Sequence, residues 1–172
     1  PWTVGGEVFR QENLGTGAVR DVAEVRGRYT ALRYEFLAGL RHAEDTFSTI
    51  GAQRSEQATF GGRYQLNART AFRFQHDQSL GGYNESSDYP TRTTLGADYK
   101  LSDSATLFAD QEWTSGSNQD STTSRVGIKA APWTGSQISS TMEQQVTENG
   151  VRLFSTLGLK QGWQVNRNWT LD

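Results

Sequence analysis

The chain has 172 residues, enough for one domain, with 34% hydrophobic and 21% charged residues and a net charge of −2. That balance argues against a nucleic-acid partner. Cysteine is absent, which excludes disulfides and thiolate metal sites, while 11% aromatic residues argue against disorder. No run of about 20 apolar residues exists, so a membrane-spanning helix is excluded, but a β-barrel crosses a bilayer on alternating residues and stays open as a reading. No secretion signal is read at Pro1, which fits a mature form, an excised piece or a chain that is not exported.

In chain order, period-two alternation predicts strands over 2–11, 18–29, 32–43, 57–66, 69–79, 91–101, 104–115, 122–132, 136–147 and 151–162, with an eleventh starting at Trp169. The connections alternate in kind. Thr30-Ala31, Asn67-Ala68, Ser102-Asp103 and Trp133 to Gly135 are tight, whereas 12–17, 45–55, 80–89 and 115–120 are longer and polar. Asn149-Gly150 is a two-residue hairpin signal on the long-loop side. Short connections at one end and longer ones at the other suit a transmembrane barrel.

A hairpin repeat underlies this pattern. The segments TFGGRYQLNARTAFRF from Thr59, TLGADYKLSDSATLFA from Thr94, RVGIKAAPWTGSQISS from Arg125 and TLGLKQGWQVNRNWTL from Thr156 each place Gly third, then an aromatic, a turn and a new strand. Their glycines, Gly61, Gly96, Gly127 and Gly158, are 35, 31 and 31 residues apart. They are read as points where the wall bends or a neighbouring aromatic folds over bare backbone.

Alternation sorts the side chains into two faces. One is oily, with Phe36, Phe60, Phe72, Leu95, Leu107, Val126, Leu153 and Leu157 among its members. The other holds Arg63, Arg73, Arg92, Asp98, Lys100, Asp110, Glu112, Arg125, Lys129, Glu143, Arg152 and Lys160, which are the candidate lumen-lining residues. Counting Arg20, Arg26, Arg28, Arg33 and Arg41 with them, and Glu7, Glu24, Glu35 and Asp77 among the acids, thirteen bases stand against eight acids, a surplus of five. A narrow soluble barrel has no room for the oily face inside, so that face is expected to meet lipid and the charged face to meet water. Tyr29, Tyr64, Tyr99, Trp133 and Trp163 fall at the short-turn end of successive hairpins and are expected to form an interfacial aromatic girdle, with Tyr83 and Trp113 near the other rim.

The hairpins YQLNARTAFRF and YKLSDSATLFA, within a pattern running from Trp2 to Leu171, resemble those of Gram-negative outer-membrane β-barrel proteins, porin-like or forming the barrel region of larger surface proteins. The resemblance implies an all-β, antiparallel up-and-down transmembrane barrel of 10–12 strands in the bacterial outer membrane. Lipid bilayer and lipopolysaccharide are the implied partners, and no cofactor is implied. The family's barrels usually finish on Phe or Trp, whereas this chain ends RNWTLD. The segment NWTLD echoes PWTVGG near the start and would run in the same direction, so strands one and eleven are not expected to close against each other. The chain therefore reads as one β-barrel domain over 1–172 or an excerpt of a longer barrel, leaving open an oligomer or a missing barrel segment.

No catalytic or metal-binding set emerges. His42 and His76 share the parity of the oily face near the long-loop rim, so Asp77, which points the opposite way, is not placed to orient His76. GTG at 15–17 precedes no helix and reads as a turn rather than a phosphate loop. Glu44, Asp45, Glu85, Asp88 and Asp120 are expected in outer loops, where they suit divalent bridges to lipopolysaccharide or plain solvation. The leading functional expectation is a small pore with a net-positive lumen. The alternatives are a membrane anchor with a plugged interior and a soluble up-and-down barrel binding a hydrophobic ligand.

Overall fold

A computed structural model describes residues 1–46, 52–81, 89–116, 120–164 and 170–171. Ten long strands follow one another: β1 (Trp2–Glu12), β2 (Val19–Thr30), β3 (Tyr34–Asp45), β4 (Gln53–Gln65), β5 (Thr70–Gly81), β6 (Thr91–Ser102), β7 (Ala105–Ser115), β8 (Ser121–Ala130), β9 (Ser136–Thr147) and β10 (Gly150–Gln161). They form one sheet in sequence order, each strand antiparallel to the next. At 10 to 13 residues, every strand is about twice the usual soluble length and sufficient for a tilted membrane crossing. Among the described residues, β1 and β10 are the two edges of the sheet.

The sequence places all ten strands, with shifts at their ends. β4 begins at Gln53 rather than 57 and β3 runs to Asp45, so Glu44 and Asp45 are strand residues and not loop acids. The cause is cross-strand matching: Glu44 lies opposite Arg54, and Asp45 opposite Gln53 and Arg20. Two tight turns move by one residue. The loop after β9 is Glu148-Asn149, which sets Val151 opposite Val146, and the loop after β6 is Asp103-Ser104. The strand expected from Trp169 does not join the large sheet among the described residues. Instead β11 (Trp163–Gln164) and β12 (Thr170–Leu171) pair with each other as a short separate ladder. Trp169 itself lies outside the described residues.

Turn chemistry follows side chains that mimic backbone. The Asn67 carboxamide oxygen accepts from the amides of Arg69 (2.8 Å) and Thr70 (2.9 Å), closing the β4–β5 connection. Asn13 does the same for Gly15 at 2.9 Å between β1 and β2.

The two faces differ in environment as the alternation requires. Only Ala43 and Ala71 are buried hydrophobic residues, so no apolar core exists among the described residues. The oily side chains point outward, with Leu157 at 78% and Leu153 at 69% exposure. The carboxylates of the other face are the enclosed groups, Asp98 at 17% and Asp110 at 15%. A soluble barrel with the oily face inside is therefore the wrong reading, because Leu107 and Phe72 also lie exposed.

Candidate functional site

The enclosed charged face is organised by register. Arg63 stands opposite Arg73, and Ala71, only 2% exposed, stands opposite Asp98. Two like charges face to face are unfavourable alone. Asp98 resolves this by pairing with both, 3.3 Å from Arg63 and 3.0 Å from Arg73. Arg73 also reaches past β6 to Asp110 on β7 at 2.9 Å. Ion pairs between strands that are not neighbours require side chains to converge, as they do on the concave side of a curled sheet.

A second series runs from β6 to β9. Arg92 lies 3.9 Å from Glu112, and Arg125 bridges Glu112 at 3.1 Å and Glu143 at 2.5 Å. A third group sits on β2 and β3, where Glu24 accepts from Arg41 at 2.7 Å and pairs with Arg26, and Arg28 lies 3.6 Å from Glu35. Forked guanidinium groups suit such bridging, since one side chain meets two carboxylates in fixed geometry.

Between these groups lies a cavity of about 640 Å³ lined from β1 through β6, with Arg26, Arg28, Arg41, Gln75, Asp77 and Arg92 on its wall. At its long-loop end Gln57 donates to the Pro90 carbonyl at 3.1 Å, and the Arg41 guanidinium stands 5.4 Å from the Tyr89 ring centroid. Alternation puts the arginines of β2 and β3 on one face with Arg92 but does not bring them to one cavity. The signal needed is curvature, which alternation does not encode.

All twelve candidate lining residues share this face in the strand register. Arg63, Arg73, Arg92, Asp98, Asp110, Glu112, Arg125 and Glu143 are brought together in the ion-pair network. Lys100, Lys129 and Arg152 lie outside it, and Lys160 stands opposite Gln137 on β9. Lys129 stands over the Phe108 ring at 4.9 Å, and Arg152 is opposite Gln145 on β9. The charge count changes with the fold: Arg33 belongs to the β2–β3 turn and Asp45 joins the face, paired with Arg20 at 3.6 Å. Twelve strand bases then oppose nine acids, a surplus of three rather than five.

The repeated glycines permit close approach. A Cβ on Gly96 would run into the Arg73–Asp110 pair that passes over it, and one on Gly127 would meet the Phe108 ring. The second contact is the expected aromatic over bare backbone. The first, an ion pair over bare backbone, is new.

On the outer face Tyr34 stands opposite Tyr64, and Tyr29 contacts Trp2 at 4.9 Å and Tyr34 at 6.1 Å between ring centroids. Tyr64, Tyr99 and Trp133 are exposed there, and the Trp133 indole donates to Gln161 at 2.5 Å. The Tyr64 row meets β6 at Ala97, two residues from Tyr99, so successive aromatics step down the ladder. That is the stagger expected of tilted strands. The side chain of Trp163, and Tyr83, Glu85 and Asp88, lie outside the described residues. Trp113 is exposed on the same face toward the long loops.

His76 follows its parity: its ring nitrogens meet Thr93 at 2.8 Å and Gln78 at 3.2 Å, while Asp77 bonds Thr59 at 2.6 Å on the other face. His42 lies 3.5 Å from Glu56.

No family model and no curated protein matches the sequence. Solved structures do match the fold. The chain is similar to the KdgM porin and to the KdgM porin in complex with disordered oligogalacturonate, each with a TM-score of 0.53 and 10% identity, covering 94% of this chain and 92% of the other. At that identity the likeness is one of fold. The chain has the antiparallel up-and-down fold of an outer-membrane porin barrel.

Proposed function

We propose that this protein is a bacterial outer-membrane porin whose concave charged face lines a small pore biased toward anions. The observation that supports it is the cavity wall, where Arg26, Arg28, Arg41 and Arg92, each beside an acid, line one open space. Surplus fixed positive charge in a pore favours anions. The fold is shared with a porin solved with oligogalacturonate, a polyanion by its chemistry, so acidic oligosaccharides are a reasonable cargo class to test first. Tyr29, Tyr64, Tyr99, Trp133 and Trp163 would form the girdle on one side of the bilayer. Outward Glu44, with Asp120 before β8, supports lipopolysaccharide contact through divalent cations at the other.

The test is a planar bilayer under a salt gradient. A steady current reversing toward the anion potential is expected, and replacing Arg92 and Arg125 by Glu should invert the preference. A cation-selective native pore would contradict the anion bias. A second reading, a membrane anchor with a filled interior, is favoured by the ion-pair network across β4 to β9. It predicts a silent bilayer from correctly folded protein.

A further inference from the structure

The outward face is not suited to lipid everywhere. Across β7, β8 and β9 one row of the ladder carries Gln111, Ser124 and Gln144, which share the parity of the oily side chains. The row lies two residues inside Trp113, on the hydrocarbon side of that rim. Other outward carboxamides are satisfied within the chain. Gln78 donates to the Ser79 carbonyl at 2.9 Å and to Thr91 at 3.3 Å, and Gln161 accepts from Trp133 at 2.5 Å. Gln111 accepts from Ser124 at 2.7 Å, but among the described residues its nitrogen has no acceptor and the Gln144 carboxamide has no partner. A carboxamide without a hydrogen bond is costly in hydrocarbon, and lipid tails offer it none.

The neighbouring rows show what would satisfy it. In the next row toward the short turns Ala109 and Met142 flank Val126, and in the row after that Leu107 and Ser140 flank Ile128. Each of these rows sets a large side chain on one flank of β8 and a small one on the other, while the glutamine row sets a carboxamide on both. Val126 and Met142 are more than half exposed, at 54% and 53%. A mostly apolar groove of about 550 Å³ lies across the same strands, with Ala97, Ala109, Val126 and Ser140 in its wall. A two-fold axis along the bilayer normal at β8 exchanges the flanks. It brings Met142 of one copy over Ala109 of the other, Leu107 over Ser140, and the Gln111 nitrogen against the Gln144 oxygen. By symmetry each contact occurs twice, which is the self-complementarity an isologous interface requires. Small residues and interchain hydrogen bonds are also what hold proteins together in a bilayer, where burial of apolar surface gives no drive.

We propose that the outward face of β7, β8 and β9 is the interface of a two-fold dimer within the bilayer, closed about Ser124 and Val126, and that its partner is a second copy of this chain. The inference needs the oily face to meet lipid and does not depend on whether the lumen conducts.

The test uses the full chain in liposomes at a high lipid-to-protein ratio, with single cysteines added to a sequence that has none. Ser124→Cys and, separately, Val126→Cys lie beside the axis, where the backbones of two packed sheets are about 10 Å apart. A bismaleimide of that reach should link most of either variant to a second copy of itself. Phe74→Cys lies in the same row as Ser124 but on β5, roughly 30 Å from its own copy at ordinary strand spacing, and should link only at background. Gln111→Leu combined with Gln144→Leu makes the face a better match for lipid. That variant should keep the heat-modifiable gel migration of the native chain, yet its dimer should dissociate about tenfold or more readily in single-molecule photobleaching counts. Ala109→Trp, which fills the place Met142 of the other copy would take, should separate the copies as well. Equal linking at 74 and 124, a native chain counted as single copies in the same liposomes, or dimers unchanged by both sets of substitutions overturns the interface.

Discussion

Arg73 on β5 and Asp110 on β7 meet at 2.9 Å across the backbone of Gly96 on the strand between them. The pair ties three strands together, and the absence of a side chain at 96 lets it close. Gly96→Ala places a methyl group against both partners, so they must part or the sheet must shift. The expected loss is about 1–3 kcal/mol, read as a lower unfolding midpoint in detergent. Gly5→Ala is the control: nothing lies within 4 Å of its new Cβ, and a change inside about 0.5 kcal/mol is expected. Equal effects at the two positions would show that the pair does not depend on the glycine.

Arg125 holds two carboxylates that otherwise repel across β8, Glu112 and Glu143. Arg125→Gln leaves them facing each other with only Arg92, at 3.9 Å, to compensate one. Because Arg125 is about a third exposed, solvent screens the loss, and about 1–2 kcal/mol is expected rather than the full cost of a broken buried pair. Adding Glu112→Gln and Glu143→Gln should recover most of it. A triple variant less stable than Arg125→Gln alone would show that the carboxylates have partners beyond Arg125 and Arg92.

Phe108 lies over Gly127 and under the Lys129 ammonium. Phe108→Ala removes both contacts, at an expected cost of about 1–2 kcal/mol. Gly127→Ala should cost less in the Phe108→Ala background than in the native chain, yet still something, because the Ser140 carbonyl also crowds that site. Strictly additive losses would mean that the ring does not pack on the glycine.

The sequence shows clearly which side chains share a face, because period two runs through the strands and the register shifts only near two strand ends, at Glu56/Gln57 and Lys100/Ser102. It shows far less about what touches across the face. Arg63 reaching Asp98 and Arg73 reaching Asp110 skip a strand, and that depends on register and curl, which no local pattern contains. Asp45 is a strand residue for a related reason: it follows a strand in composition like a loop acid, and its places opposite Arg20, 25 positions earlier, and Gln53 draw it into the ladder. The one-residue shift at Asn149-Gly150 sets Val146 opposite Val151, and the shift at Ser102-Asp103 goes with a register irregularity between Lys100 and Ser102.

The aromatic positions predict where the bilayer ends. Trp113 and Trp133 lie toward opposite rims of the outward face and are both exposed. In variants retaining one tryptophan each, brominated lipids should quench both, and more strongly with bromine near the headgroups than at the midplane. Emission unaffected by any brominated lipid would remove the girdle.

The most direct measurement is of which face meets water. The chain has no cysteine, so single cysteines can be placed at will. Introduced at Leu95, Leu107 and Leu157 on one face, and at Thr94, Thr106 and Thr156 on the other, they are reacted in a lipid bilayer with a charged, membrane-impermeant thiol reagent. The threonine positions should label and the apolar positions should not, alternating residue by residue along each strand. The reverse pattern, or equal labelling of both sets in folded protein, would contradict a barrel wall with lipid on its oily side and water on its charged one.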